Sequence, residues 1–248
     1  MKKRRLDQLV MERGLAPALP KAQALILAGE VIVDDRRVDK PGTQVAETAE
    51  LRLKNEVLPY VSRGGLKLKA ALDAFSVSAE GLVCADIGAS TGGFTDCLLQ
   101  HGAVQVHAID VGYAQLHEKL RQDGRVVSKE RVNARTLTSA DLPVQVPLMV
   151  IDVSFISLSA LLPGVLPFLA PGGTLIALVK PQFELPTHLV EEGGVVREQA
   201  SRLLAIETVQ RAVLAQGLLL RGVIDSPIAG PAGNVEALLC AVRPTSAP

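Results

Sequence analysis

The chain has 248 residues, of which 48% are apolar and 21% charged, so it can bury a core, and general disorder is excluded. Its three cysteines lie in unrelated surroundings, which excludes a disulfide framework and a cysteine-rich zinc site. The formal net charge is zero, but residues 1–69 carry 14 basic and 9 acidic side chains, and residues 70–248 carry 12 and 17. This asymmetry predicts two domains with different partners. The basic domain is predicted to bind phosphate, unless its surplus is an ordinary solvated surface.

The N-terminal sequence has no apolar signal core, so we expect a cytoplasmic protein. A run without charge, residues 153–179, is long enough to span a bilayer. However, Pro163, Pro167 and Pro171-Gly172-Gly173 interrupt it, which favours two short buried elements joined by a Pro-Gly-Gly turn. We therefore expect no membrane partner.

Residues 1–58 are predicted to form a small basic α+β domain. One helix contains Leu6 and ends at Gly14, a second follows Pro20 and ends at Gly29, and a hairpin and a third strand come after them. Because the chain has no tryptophan and only 3% aromatic residues, phosphate contact and shape should dominate nucleic-acid recognition. The candidate nucleic-acid-binding residues are basic: Lys2, Lys3, Arg4, Arg5, Lys21, Arg36, Arg37 and, just before the next helix, Arg63.

A specific succession of residues runs through this domain. It comprises Arg5-Leu6-Asp7, Gly14-Leu15, Ala24, Ile26, Gly29, Val31, Val33 and Lys40-Pro41-Gly42. The succession resembles the RNA-binding domain named after ribosomal protein S4. Residues 59–63 are the expected linker to a second domain, residues 64–248.

The second domain alternates apolar strands with helical segments, and the clearest helix is Glu198–Gln216. Such alternation predicts an α/β fold with a doubly wound, mostly parallel sheet covered on both faces. The predicted strands are Leu82–Ile87, Val104–Asp110, Val146–Asp152, Thr174–Lys180, Leu218–Asp225 and Val235–Val242.

A glycine-rich turn follows the first of these strands. It favours close approach of a ligand to the backbone, beside a helix N-terminus. Asp86 and Asp110 close the first two strands, where an acid can accept ribose hydroxyls. The alternative is that these residues only cap and turn elements. The candidate cofactor-binding residues are Asp86, Gly88, Ala89, Ser90, Thr91, Gly92, Gly93, Phe94, Asp110, Val111, Asn133 and Asp152.

The same turn also matches the G-x-S-x-G nucleophile elbow of esterases. Asp152 and His188 follow Ser90 in the order that such hydrolases use. Against this alternative, the elbow opens the domain, whereas hydrolases carry it on a middle strand, and His188 precedes two further strands.

Four charged residues are expected to converge at the carboxyl edge of the sheet. Asp152 and Lys180 each close an apolar strand, and Glu236 reaches the same edge if the last strand is antiparallel. Lys67 lies on the helix that enters the domain. Nearby carboxylates would compensate a buried lysine, so the alternative is a structural cluster of ion pairs.

Several motifs together resemble the TlyA family of rRNA ribose 2′-O-methyltransferases, often labelled haemolysins. They are residues 62–68, 88–95, 110–113, 152–158, 179–184 and 233–236. The resemblance implies a Rossmann-like class I methyltransferase fold, S-adenosylmethionine as cofactor, and a catalytic tetrad on Lys67, Asp152, Lys180 and Glu236. Lys69 competes for the first position, but the motif spacing selects Lys67. The linker Leu58-Pro59-Tyr60-Val61 differs from the family's, which has a basic and an aromatic residue there.

The residues agree with this chemistry, because a lysine tuned by its neighbours can remove a ribose proton or stabilise an alkoxide. We expect Lys180 nearest the 2′-hydroxyl. Three alternatives stay open: an rRNA-binding protein without methyl transfer, a haemolysin-type membrane-active protein, and the esterase. Since the chain stops soon after Val242, we expect a cytidine of the large ribosomal subunit as substrate. We also expect no metal and a monomer or weak dimer.

Overall fold

The computed structural model describes residues 3–54, 59–230 and 232–245. The chain divides into two compact units, Met1–Leu58 and Pro59–Pro248. Lys2, one of the predicted RNA-binding residues, and Leu58 of the predicted linker lie outside the described residues.

The N-terminal unit is a small α+β fold. Its elements are β1 (Lys3–Arg5), α1 (Leu6–Glu12), α2 (Leu19–Leu27), β2 (Val31–Val33), β3 (Arg36–Arg37), β4 (Gln44–Ala46) and β5 (Leu51–Leu53). The strands form a sheet of order β3-β2-β5 and a separate antiparallel pair of β1 with β4. The sequence predicted the helices, the hairpin and the strand at Leu51, but it did not predict the β1–β4 pair.

Local backbone chemistry explains the turns of this unit. Gly14 and Gly29 take positive φ angles of 72° and 68° directly after the two helices, where only glycine escapes a steric penalty. Asp34 and Asp35 both have positive φ between β2 and β3, as a two-residue hairpin turn requires. Leu6, Val10, Ile26 and other apolar side chains then close one core.

The second unit carries the remaining elements. They are α3 (Gly64–Phe75), β6 (Val83–Ile87), α4 (Gly93–Gln100), β7 (Gln105–Ile109), α5 (Glu118–Arg121), β8 (Val126–Lys129), β9 (Val146–Ile151), α6 (Leu158–Val165), β10 (Leu169–Val179), α7 (Pro181–Glu184), α8 (Gln199–Ala215), β11 (Leu219–Asp225) and β12 (Ala237–Val242). Three short 3₁₀ helices lie at Ala134–Thr136, Leu166–Phe168 and Thr187–Leu189.

The strands of this unit form one seven-stranded sheet of order β11-β12-β10-β9-β6-β7-β8. Strand β12 runs antiparallel to both of its neighbours, while the other described pairs are parallel. Therefore the carboxyl ends of β6, β7, β9 and β10 and the beginning of β12 meet at one edge. The predicted doubly wound, mostly parallel sheet is confirmed.

Two apolar layers cover the two faces of the sheet. In β9, Met149 and Ile151 pack with α6 and α8, whereas Leu148 and Val150 pack with α3 and α4. This alternation follows the period of two that places successive strand side chains on opposite faces. The three cysteines, Cys84, Cys97 and Cys240, are buried and free.

The proline-rich apolar run differs in detail from the prediction. Pro163 lies inside α6 near its C-terminal end, and the helix continues for two residues before a 3₁₀ turn. The Pro171-Gly172-Gly173 segment lies within β10 and shifts its register against β9. In the described part of the chain, no helix combines the length and the apolarity that crossing a membrane demands.

Candidate active site

Lys180 and Glu236 lie side by side at the carboxyl edge of the sheet. The last register pair between β10 and β12 is Val179 with Ala237, so Lys180 and Glu236 occupy the next positions on neighbouring strands. Asp152 follows β9, whose Ile151 pairs with Ala177 of β10. The sheet thus gathers three of the predicted residues at one edge.

The fourth residue, Lys67, forms a buried ion pair with Glu236. The Lys67 Nζ and Glu236 Oε2 atoms are 2.5 Å apart, and the two side chains are 9% and 1% exposed. Helix α3 packs on β12 and carries Lys67 inward. Lys69, two residues later, is exposed and pairs with Asp73 at 2.5 Å. Lys67 therefore lies beside Glu236 at this edge, whereas Lys69 lies on the surface.

Lys180 forms a second, more accessible cluster. Its Nζ lies 2.7 Å from Asp152 Oδ1 and 2.9 Å from Ser154 Oγ. The side chains of Lys180 and Asp152 are 12% and 23% exposed. The four predicted residues thus form two ion pairs. The two lysines are 9% and 12% exposed, and the larger difference is between the acids, with Glu236 1% exposed and Asp152 23% exposed.

Asp86 lies fully buried beneath the glycine-rich turn. Its Oδ2 accepts a hydrogen bond of 2.6 Å from the Thr95 hydroxyl, while Oδ1 has no hydrogen-bond partner among the described residues. Burial raises the pKa of Asp86 to about 7; the Thr95 hydrogen bond opposes this rise, and the charges of Asp152 and Asp110 add to it. Three carboxyl groups are therefore close enough to interact at this edge.

The turn itself, Gly88–Phe94, packs tightly against its own chain. A Cβ at Gly88 would collide with the Asp152 carbonyl, and one at Gly92 with Leu116 and Leu120. The Gly88 amide donates to the Ile109 carbonyl at 2.8 Å. These close contacts, together with the positive φ angles of Gly88 and Gly92, require glycine at both positions. From the sequence we expected a different reason, which was the close approach of a ligand to the backbone.

Asp110 joins the turn to the segment that follows β7. Its Oδ2 accepts from the Ser90 amide at 2.7 Å and its Oδ1 from the Gly112 amide at 2.6 Å. Each carboxylate oxygen has a second acceptor position, so hydroxyl binding stays available to it. A small cavity beside Asp110 is lined by Ala89, Ser90, Gly112, Gln115, Leu116 and Lys129, among others.

The other predicted cofactor residues lie around this region. Val111 is 73% exposed. The backbone carbonyl of Thr91 accepts a hydrogen bond from the His117 amide at 3.1 Å. Asn133 is not among the residues that line the cavity; its side chain caps the 3₁₀ helix by accepting from the Arg135 amide at 3.0 Å. Gly93 and Phe94 begin α4 and are buried.

Most of the predicted RNA-binding residues are exposed on the N-terminal unit. Lys3, Lys21, Arg36 and Arg37 are exposed. Arg5 is also exposed, but its guanidinium is paired with the buried Asp7 at 2.7 Å. Arg4 pairs with Glu12 at 2.9 Å. Arg63 belongs to the second unit, where it directly precedes α3.

The predicted linker residues are held by α4 of the second unit. The Val61 amide donates to Asp96 Oδ2 at 2.9 Å, and Gln100 Nε2 donates to the Pro59 carbonyl at 2.7 Å. Tyr60 is buried against Gly65. Residues 59–61 are thus a fixed part of this unit.

The sequence interpretation left several residues of the edge without a role. Ser154 contacts Lys180, and Glu184 Oε1 accepts from the Leu158 amide at 2.9 Å. Phe155 is 91% exposed with a positive φ of 65°, and its ring centre lies 5.2 Å from that of Phe183. Ser154, Phe155, Phe183 and Glu184 all lie inside the motifs at residues 152–158 and 179–184. Their position in these motifs was the signal in the sequence that could have pointed to them.

The residues of the esterase alternative have other partners. Ser90 donates its amide to Asp110, and Asp152 is paired with Lys180. His188 lies in the 3₁₀ helix Thr187–Leu189. Among the described residues, no group of histidine, cysteine or acidic side chains could hold a metal ion.

A seven-stranded sheet with β12 reversed, and with acids and lysines at the carboxyl edge, defines a Rossmann-like methyltransferase. The chain belongs to the FtsJ-like methyltransferase family, whose pattern matches residues 60–243. An S4 domain matches residues 4–51. The two resemblances that the sequence motifs suggested are confirmed.

Relatives of known name share nearly the full length of the chain. The 16S/23S rRNA (cytidine-2′-O)-methyltransferase TlyA of Mycobacterium tuberculosis is 44% identical, over 95% of this chain and 88% of its own length. Hemolysin A of Brachyspira hyodysenteriae is 39% identical, over 94% and 98%. A solved structure from Streptococcus thermophilus, provisionally named a hemolysin, is 44% identical, covers 99% of this chain and 90% of its own, and has a TM-score of 0.78.

Proposed function

We propose that this protein transfers a methyl group from S-adenosylmethionine to a ribose 2′-hydroxyl of ribosomal RNA, at a cytidine. The observation that carries the proposal is the Lys180 amine, held 2.7 Å from Asp152 at the open edge of a methyltransferase sheet. The relative from Mycobacterium tuberculosis bears the name of this reaction, which supports it.

Lys180 is the proposed catalytic residue. A ribose hydroxyl is a weak acid, so the transfer needs both alignment and help with proton loss. The Lys180 amine can receive that proton or stabilise the developing oxyanion. Asp152 orients the amine and stabilises its charged form. Lys67 and Glu236 support the edge from inside, since their pair is almost closed to solvent.

The acidic edge suits S-adenosylmethionine, which is cationic. Asp152 and Asp110 both lie close enough to Asp86 for their charges to help raise its pKa, and the buried Oδ1 of Asp86 lacks a hydrogen-bond partner among the described residues. A positive ligand would relieve this concentration of carboxylates. When bound, S-adenosylmethionine supplies an electrophilic methyl group. We assign its binding to Asp86, Asp110, Val111, Asn133, Asp152 and the turn Gly88-Ala89-Ser90-Thr91-Gly92-Gly93-Phe94.

We assign RNA capture to the domain of residues 1–58, with 59–63 as linker and 64–248 as the catalytic domain. The exposed Lys3, Lys21, Arg36 and Arg37 would contact phosphates. On the catalytic domain, the exposed Phe155 lies one residue after Ser154 and offers a face on which a base can stack. This adds an aromatic contact to a recognition mode that the sequence predicted to be dominated by phosphate contact and shape.

The test measures transfer of a labelled methyl group from S-adenosylmethionine to purified small and large ribosomal subunits. We expect the wild-type protein to label rRNA and Lys180→Ala to lower kcat at least about 100-fold, because the group that assists proton loss is gone. Lys69→Ala is the matched control, since Lys69 is an exposed lysine paired on the surface.

Three outcomes would contradict the proposal: no labelling by the wild-type protein, labelling of a base, or full activity of Lys180→Ala. Binding of cofactor and subunits without labelling would instead support an rRNA-binding protein. Dye release from liposomes would support the hemolysin name that relatives carry. Hydrolysis of an ester that is lost in Ser90→Ala would support the esterase.

A further inference from the structure

The Lys180 amine donates a hydrogen bond to Ser154 Oγ at 2.9 Å. Its Nζ also lies 2.7 Å from Asp152 Oδ1 in an ion pair, but that oxygen accepts no hydrogen bond among the described residues. The carboxylate belongs to the predicted tetrad, whereas the hydroxyl does not. Ser154 is exposed, so it contributes little to the core, and its only described polar side-chain contact is the one with Lys180.

One directed hydrogen bond is enough to fix the rotation of a lysine amine. A neutral amine has two N–H groups and one lone pair, and a charged one has three N–H groups, all at tetrahedral angles. With one N–H group directed at Ser154, the other two directions at Nζ are defined, and one of them is available to the substrate hydroxyl. With the Asp152 ion pair alone, the amine can rotate about its Cε–Nζ bond, and these directions are not defined.

The segment that carries Ser154 is held at both of its ends. At one end the Asp152 amide donates to the Ile87 carbonyl of β6 at 2.9 Å. At the other end the Leu158 amide donates to Glu184, in the segment that follows β10, at 2.9 Å. Between them, Phe155 packs against Phe183. The backbone on both sides of Ser154 is therefore held by contacts that do not involve the Ser154 side chain.

We infer that Ser154 is a positioning residue, which orients the Lys180 amine toward the methyl-accepting hydroxyl. This inference rests on the proposed function. It predicts that Ser154 affects the turnover rate and has little effect on the binding of RNA or cofactor.

The test compares Ser154→Ala and Ser154→Thr with the wild-type protein in the methyl-transfer assay on ribosomal subunits. We expect Ser154→Ala to lower kcat about tenfold, the effect of one lost hydrogen bond, and to change KM for each substrate less than about twofold. Ser154→Thr keeps the hydroxyl and should restore most of kcat. Ser157→Ala is the matched control, because Ser157 caps α6 in the same loop by accepting from the Ala160 amide.

Each result decides the inference. It is overturned if Ser154→Ala has the wild-type kcat, if Ser154→Ala raises KM and leaves kcat unchanged, if Ser154→Thr fails to restore kcat, or if Ser157→Ala lowers kcat equally. An active wild-type protein and an inactive Lys180→Ala, measured in parallel, show that such a failure concerns Ser154 alone. An inactive wild-type protein would reject the proposed function together with this inference.

Discussion

Two lysines at the same sheet edge have partners that differ in exposure. Lys67 pairs with Glu236, which is 1% exposed, whereas Lys180 lies beside Asp152, which is 23% exposed, and beside the exposed Ser154. Charge alone does not distinguish them in the sequence. Because desolvation makes an unpaired buried charge costly, we assign the enclosed pair to stability and the open one to chemistry.

The buried pair leads to a prediction about folding. Lys67→Met should lower the free energy of unfolding by about 3 to 5 kcal/mol, since it leaves the Glu236 carboxylate buried without a cation. Adding Glu236→Gln should recover part of that loss, because the uncompensated charge is then absent. Denaturant titrations followed by circular dichroism measure both. Lys69→Met is the control on the same helix, and an equal loss in that variant would contradict the assignment.

At this scale the sequence predicted which residues reach the edge but not how they pair. Asp152 and Lys180 each follow a buried strand, which placed them. Lys67 and Glu236 are 169 positions apart, so their contact depends on how α3 packs on β12. The role of Ser154 depends on the backbone of the loop after β9, where Phe155 takes a positive φ that no local pattern indicates.

At the scale of elements, the short helix α7 and the start of α6 are joined by one buried carboxyl group. Glu184 Oε1 accepts from the Leu158 amide, and Oε2 has no hydrogen-bond partner among the described residues. Burial raises the pKa of Glu184 from its usual 4.5 to about 7, although the Leu158 hydrogen bond opposes the rise. Ionising this group in the folded protein is therefore unfavourable.

This carboxyl group gives the stability a pH dependence of known sign. Between pH 4.5 and 7 the folded state keeps a proton that the unfolded state has lost, so stability falls as the pH rises through this window. Glu184→Gln keeps an acceptor for Leu158 and removes the titration. Relative to wild type, it should gain roughly 2 to 3 kcal/mol between pH 4.5 and 8.

Urea unfolding of both proteins at pH 4.5 and 8 measures this difference. The raised pKa of Asp86 changes the stability of both proteins with pH by the same amount, so it cancels from the difference between them. Glu192→Gln, an exposed position, is the control and should show no such gain. A constant difference between wild type and Glu184→Gln at the two pH values would show that Glu184 ionises normally.

Element order was predictable because the spacing of apolar residues differs between strands and helices, so each change of spacing along the chain marks a new element. Alternating strands and helices gave the parallel sheet, and the position of Glu236 required the reversed β12 that the structure has. Two details were not predictable. Pro163 sits within α6, where a proline does not usually occur, and β1 pairs with β4, about forty residues away in sequence, only through tertiary contact.

At the scale of the whole molecule, the two units differ slightly in the sign of their charge. Residues 1–58 carry 11 basic and 9 acidic side chains, and residues 59–248 carry 15 and 17. Arg63, Lys67 and Lys69, which belong to the basic surplus of residues 1–69, lie in the methyltransferase unit. A difference of this sign suits a protein that holds a polyanion with one part and a cationic cofactor with the other. Net charge alone, which is zero, conceals this difference.

The central claim is that the methyl group is placed on a ribose and not on a base. Mass spectrometry of rRNA nucleosides and oligonucleotides, from cells with and without this gene, tests it most directly. The account predicts that at least one cytidine loses its 2′-O-methyl group in the deletion strain and regains it with the wild-type gene but not with Lys180→Ala. Retention of every ribose methyl group in the deletion strain would contradict it.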